Sequence, residues 1–140
     1  MTVPEDLFQA AMAARQRAYA PYSHFQVGAA VRDRSGAITI GCNVENASYG
    51  LTCCAERVAL FDMVAASRTE PIEMCVVADV ERVATPCGAC RQVIYELAKD
   101  AVIWLCNTSG ESKWLMPTDL LPAPFPTDPS ILRNPPRQTP

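Results

Sequence analysis

Two short runs about thirty residues apart constrain this chain more than anything else in it: Thr52-Cys53-Cys54-Ala55-Glu56-Arg57 and Pro86-Cys87-Gly88-Ala89-Cys90. A Cys-x-Glu followed at that distance by Pro-Cys-x-x-Cys offers a zinc ion three thiolates, with one carboxylate that need not be a ligand. Three protein ligands leave a fourth tetrahedral position for water, which is the open arrangement of a catalytic site. The spacing to Glu56 selects Cys54 rather than Cys53 as the first ligand. Cys-x-x-Cys alone also serves thioredoxin-like redox chemistry, and it is the Cys-x-Glu upstream that favours zinc. The sole histidine, His24, has no Glu two residues on, so no histidine-ligand version of the site can be built.

The remaining cysteines do not form a disulfide framework. Seven thiols, an odd number, in a chain without an export pattern argue against one. Cys42, Cys75 and Cys106 are expected as small buried hydrophobes, the last two inside apolar runs that look like inner strands. A chain of 140 residues is expected to form one domain around one core. The net charge is −3 with no basic run, which argues against a nucleic-acid partner. The N-terminal residues lack the basic and apolar regions of a signal peptide. No apolar run approaches the ~20 residues of a membrane span, and the chain reads as cytoplasmic.

Helical and extended patterns alternate. Pro4 to Tyr19 carries Leu7, Phe8, Ala11, Met12, Arg15 and Ala18 at helical spacing. Phe25 to Arg32 and Ile38 to Cys42 are expected as a hairpin around Ser35-Gly36, with mostly loop from Gly41 to Leu51. Thr52 to Ala66 is expected as a helix with Val58, Leu60, Phe61 and Val64 on its apolar face. Strands follow at Ile72 to Val80 and Ala101 to Cys106, on either side of a helix from Gly88 to Ala98, and a short strand at Ser112 to Leu115. Helices between buried strands imply an α/β layer structure, and the hairpin implies a mixed sheet. From Pro122 onward seven of nineteen residues are proline, which excludes helix and inner strand. Residues 1–126 are therefore read as the domain and 127–140 as a proline-rich tail with a flexible end from Asn134.

Chemically, both cysteine motifs open helices, where unpaired N–H groups and the macrodipole favour negative charge. Three thiolates on one Zn²⁺ still leave a net negative charge, so bound water ionises less readily than at a three-histidine site. Arg57, or more weakly Arg91, is placed to draw charge from sulfur; the bland alternative for Arg57 is a solvated surface charge. Glu56 fits a proton shuttle with its pKa raised by a closed site, or a helix-capping carboxylate. Asn43 and Glu45 alternate onto one side of an extended segment, and a Glu accepting from two adjacent hydroxyls makes a sensible ribose clamp.

Taken together, Cys54-Ala55-Glu56-Arg57, Pro86-Cys87-Gly88-Ala89-Cys90 and the segment Gly41 to Gly50 resemble the small three-cysteine cytidine deaminases. So do Ala20-Pro21-Tyr22-Ser23-His24-Phe25 upstream and Leu120-Leu121-Pro122-Ala123-Pro124-Phe125 downstream, although Pro124 replaces a small residue. The resemblance spans about Tyr19 to Phe125. It implies a three-layer α/β/α sandwich around a five-stranded mixed sheet and one zinc per subunit on Cys54, Cys87 and Cys90. It also implies zinc-activated water attacking C4 of cytidine or deoxycytidine, with Glu56 moving protons in pyrimidine salvage. Phe25, Asn43, Glu45, Ala47, Tyr49, Ala55 and Phe125 become substrate contacts, and Arg57 hydrogen-bonds the ligand sulfurs. A homotetramer is implied, its sites shared between subunits, with Phe125 buried in a neighbour's pocket.

Three rival functions are weighed against this one. A structural zinc or redox module leaves Glu56, Asn43 and Glu45 without purpose. A deaminase of another aminopyrimidine, such as a nucleoside antibiotic, should lack the Asn-x-Glu sugar contact. A deaminase of RNA or DNA should carry a basic, aromatic surface.

Overall fold

In the computed structural model, which describes residues 1–128 and 131, the strands are β1 (Val27–Asp33), β2 (Ile38–Cys42), β3 (Pro71–Ala78), β4 (Val102–Asn107) and β5 (Ser112–Leu115). They form one sheet in the order β2-β1-β3-β4-β5. Only β3 and β4 pair in parallel; the other pairs are antiparallel. A parallel pair needs a crossover, and α3 (Gly88–Leu97) supplies it. Helix α1 (Glu5–Arg15) covers one face through Leu7 and Ala11 against Ala30, Cys75 and Val77. Helices α2 (Ala55–Ala65) and α3 cover the other, where Leu60, Met63 and Ile94 pack on Val31, Met74 and Leu105. The result is the expected α/β/α sandwich with a mixed five-stranded sheet.

Element ends moved for identifiable reasons. Helix α1 stops at Arg15, short of Tyr19, because Tyr19 pairs with the segment after β2: its N–H donates to Asn43 and its carbonyl accepts from Glu45. Val44 and Cys53 exchange both backbone hydrogen bonds at 2.9 Å, so Thr52 and Cys53 stay extended and α2 begins only after Cys54. A further short helix, α4 (Pro117–Leu120), was not expected. The flexible end from Asn134 lies outside the described residues.

The apolar face of α2 needs correction. Its buried residues are Ala55, Glu56, Ala59, Leu60 and Met63, whereas Phe61 and Val64 are exposed and Val58 is half-buried. The cause lies in β2. A Cβ on Gly41 would collide with the backbone of Ala55 and Ala59, so the helix lies against the strand through its smallest side chains. Its bulkier stripe turns outward.

Asp33 ends β1 and organises the hairpin turn. Its Oδ1 accepts from the Ser35 amide at 2.9 Å, the Ser35 hydroxyl at 2.5 Å and the Ala37 amide at 3.2 Å. Above all the Ser35 hydroxyl, and then the two amides, hold its carboxyl below the usual range. A depressed folded-state pKa contributes stability above the unfolded value, and this is lost as pH falls through the folded one. Asp33→Asn is accordingly expected to lower the melting temperature by a few degrees at pH 7. The gap should narrow as pH drops from about 4 through the depressed value, and a gap that never narrows on acidification would remove the carboxylate from the explanation.

Candidate active site

Cys54 and Cys87 are the N-cap residues of α2 and α3, and Cys90 lies in the first turn of α3. The two helix starts therefore converge on one point, and the three sulfurs lie within 4.8 Å of one another. Cys54 and Cys87 are 3.9 Å apart. Sulfurs about 2.3 Å from a shared tetrahedral zinc stand about 3.8 Å apart, so the donor set fits the ion. The sulfurs also perturb one another. Contact with the Cys90 thiol, together with Arg57, brings Cys54 down to about 5, while Cys90, beside that sulfur and buried, is pushed far up. Three thiolates at this separation need a cation between them.

Arg57 projects back from α2 with Nη2 3.6 Å from Cys54 Sγ and 3.4 Å from the Thr52 carbonyl. Its charge is strengthened chiefly by the Cys54 contact. Arg91 goes elsewhere, donating to the Pro86 and Leu120 carbonyls and the Thr85 hydroxyl. Cys53 is not part of the cluster, and its thiol is raised chiefly by burial. Cys75 and Cys106 are buried, 3.8 Å apart on the α1 side of the sheet.

Glu56, in the first turn of α2, is 6% exposed, and burial raises its pKa. It lines a cavity of about 400 Å³ together with Cys54, Cys87, Ala55, Phe25, Asn43 and Glu45. That volume suits a small ligand. On the same cavity's wall the Glu45 carboxylate accepts from the Tyr22 and Ser23 amides through Oε1 and from the Ser23 hydroxyl through Oε2. The Ser23 hydroxyl is the main cause holding it in the ionised form. The Asn43 amide is also engaged: Oδ1 accepts from Val27 N–H at 2.8 Å and Nδ2 donates to the Phe25 carbonyl at 2.7 Å. It thereby fixes the backbone on either side of Gln26 and the Phe25 ring at the cavity wall.

The described chain does not bring every expected contact to this cavity. Ala47 is exposed on the loop after Glu45. Tyr49 is 77% exposed at the outer rim, edge-on to Tyr22 with ring centroids 6.1 Å apart. Phe125 is 72% exposed, so its own chain gives it little cover. Ser23 was not expected from the sequence, although a serine two residues before Phe25 carries a visible donor.

A family profile of the cytidine and deoxycytidylate deaminase zinc-binding region matches residues 1–106, which include all three sulfurs and Glu56. The chain belongs to this deaminase family. A cytidine deaminase of Halalkalibacterium halodurans is 48% identical to this family member over 120 residues, covering 85% of this chain and 91% of that protein. One from Sporosarcina psychrophila is 43% identical, covering 86% and 90%. The crystal structure of cytidine deaminase from Burkholderia pseudomallei superposes on the family fold described above with a TM-score of 0.85 at 48% identity. It spans 89% of this chain and all of the other.

Proposed function

We propose that this chain hydrolyses free cytidine and deoxycytidine to uridine and deoxyuridine, releasing ammonia, as a pyrimidine salvage enzyme. The observation that carries this reading is a buried carboxyl, Glu56, on the wall of the same cavity as the Cys54 and Cys87 sulfurs. Zinc, when bound by Cys54, Cys87 and Cys90, supplies a Lewis acid that acidifies water for attack on C4. Glu56 accepts the proton that this water gives up and delivers one to N3 of the pyrimidine. As the C4–N bond breaks and the C4 carbonyl forms, Glu56 takes the proton of the new C4 hydroxyl and passes it to the departing amine, so one carboxyl serves both halves of the reaction. Its raised pKa suits it to hold a proton between the two transfers. Arg57 draws charge from Cys54, and the apolar walls at Phe25, Val27 and Ala55 exclude bulk water.

The sugar end supports both nucleosides. A carboxylate offers about four lone-pair positions, and Tyr22 and Ser23 fill three of those on Glu45. One remains, enough for a single sugar hydroxyl, where the sequence suggested two. A nucleoside that offers only one hydroxyl there can still use it. Asn43 retains one amide hydrogen for the same ligand.

Phe125 and Tyr49, with Phe61 and Val64 on α2, are large apolar side chains left exposed by their own chain. They support a homotetramer in which Phe125 closes a neighbour's cavity. Residues 1–126 form the deaminase domain of that assembly.

Incubation with cytidine and with deoxycytidine, followed by ultraviolet absorbance, is the direct test, and turnover of neither would end the proposal. Glu45→Gln should raise KM for both nucleosides roughly tenfold or more, the scale of a lost hydrogen bond to a charged group, while free cytosine remains a poor substrate. Unchanged affinity for both would remove Glu45 from the sugar site.

A further inference from the structure

Helix α3 carries two residues immediately after Cys90 that the chemistry above does not use, and both grip the C-terminal segment. Arg91 donates through Nη1 to the Leu120 carbonyl at 2.9 Å and through Nε to the Pro86 carbonyl at 2.7 Å. It thus ties the end of α4 to the residue preceding Cys87. Gln92 holds the chain five residues further on. Its Oε1 accepts the Phe125 N–H at 2.9 Å, and its Nε2 donates to the Phe125 carbonyl at 3.2 Å. One side-chain amide therefore occupies both main-chain groups of one residue, as a neighbouring strand would.

The sequence around that residue gives the clasp its purpose. Pro122, Pro124 and Pro126 have no N–H to donate, so Phe125 supplies the only donor between Ala123 and Thr127. Their fixed φ angles also stiffen the run, so holding it at Leu120 and Phe125 restricts all that lies between. The Phe125 ring, in contrast, is 72% exposed and contributes little burial to hold the segment in place. Its backbone is held and its ring is presented.

We infer that Gln92 is a positioning residue, one that sets where the Phe125 ring is offered to the neighbouring chain's cavity. This rests on the reading that Phe125 closes that cavity. Gln92 itself touches neither substrate nor metal. Losing the clasp frees the segment to swing between its proline-fixed ends, and misplacement of a contact by about 1 Å can cost up to 10²-fold.

Four variants test this: Gln92→Leu, Gln92→Glu, Phe125→Ala and the double variant Gln92→Leu/Phe125→Ala. Each is measured for kcat and KM with cytidine, zinc content and oligomer size. Gln92→Leu should lower kcat/KM roughly tenfold, mainly through KM, with zinc and oligomer size unchanged. Gln92→Glu keeps the acceptor for Phe125 N–H and loses the donor, so it should fall between Leu and wild type. It also decides the matter if the Leu variant does not fold. In the Phe125→Ala background, Gln92→Leu should cost almost nothing more, because the ring it positions is gone.

The outcomes separate. If Phe125→Ala leaves KM unchanged, the shared-cavity reading fails, and the inference with it. If Phe125→Ala raises KM but both Gln92 variants match wild type, the inference alone fails. It fails equally if Gln92→Leu costs the same factor with and without the ring, or acts only on kcat.

Discussion

Glu56→Ala is expected to keep zinc and the fold while losing turnover by several orders of magnitude. A positioned acid or base contributes roughly 10²–10⁴-fold to one proton transfer, and Glu56 serves more than one. Its place supports this: it is 6% exposed, on the first turn of α2, with its pKa raised first by burial. Desolvating a carboxylate is unfavourable, so a purely structural role for it would be a poor bargain. The melting temperature of Glu56→Ala should therefore hold or rise while activity collapses. Glu56→Gln should behave alike, since it keeps the shape and loses the transferable proton. A fall in kcat of less than about tenfold in both would reduce Glu56 to a helix-end charge.

The metal site was legible in the sequence because its geometry is local. Cys54 and Glu56 belong to one helix start, and Cys87 and Cys90 to another, so spacing alone fixes which groups share a turn. The sheet was legible for a similar reason, as β3 and β4 are continuous apolar runs with a helical pattern between them. What failed depended on contacts between distant segments. The buried face of α2 is chosen by the absence of a side chain at Gly41, and side-chain size on the helix pointed the wrong way. The end of α1 depends on Tyr19 pairing with the Asn43–Glu45 segment, which helical periodicity does not record. The short α4 carried a signal that went unread: Pro117 at its first position, and Asp119 returning a carboxylate to the Met116 N–H at 2.9 Å. Gln92 carried none, because its partner lies 33 residues away on a backbone.

Cys87→Ala should reduce bound zinc from about one ion per chain to nearly none and abolish activity. Cys87 is the exposed member of the trio, so its loss opens the ion to solvent on the side where the cavity already admits ligand. Two sulfurs then remain for two or more open positions, fewer than the three protein ligands usual at catalytic zinc. Binding energy at such sites also supports the fold. Cys87→Ala and chelator-treated wild type should therefore melt at similar temperatures, both below the zinc-loaded enzyme. Cys54→Ala and Cys90→Ala should give the same metal result. Cys75→Ala and Cys106→Ala serve as controls, since each removes a buried sulfur from the α1 side of the sheet and should lower stability modestly with zinc retained. Cys42→Ala and Cys53→Ala should also retain the ion. Direct metal analysis of the purified variants decides it: full zinc stoichiometry after loss of Cys87 would overturn the ligand assignment. Zinc lost from the Cys75 or Cys106 variant at a temperature where it stays folded would show that the ion depends on sulfurs outside the Cys54, Cys87 and Cys90 cluster.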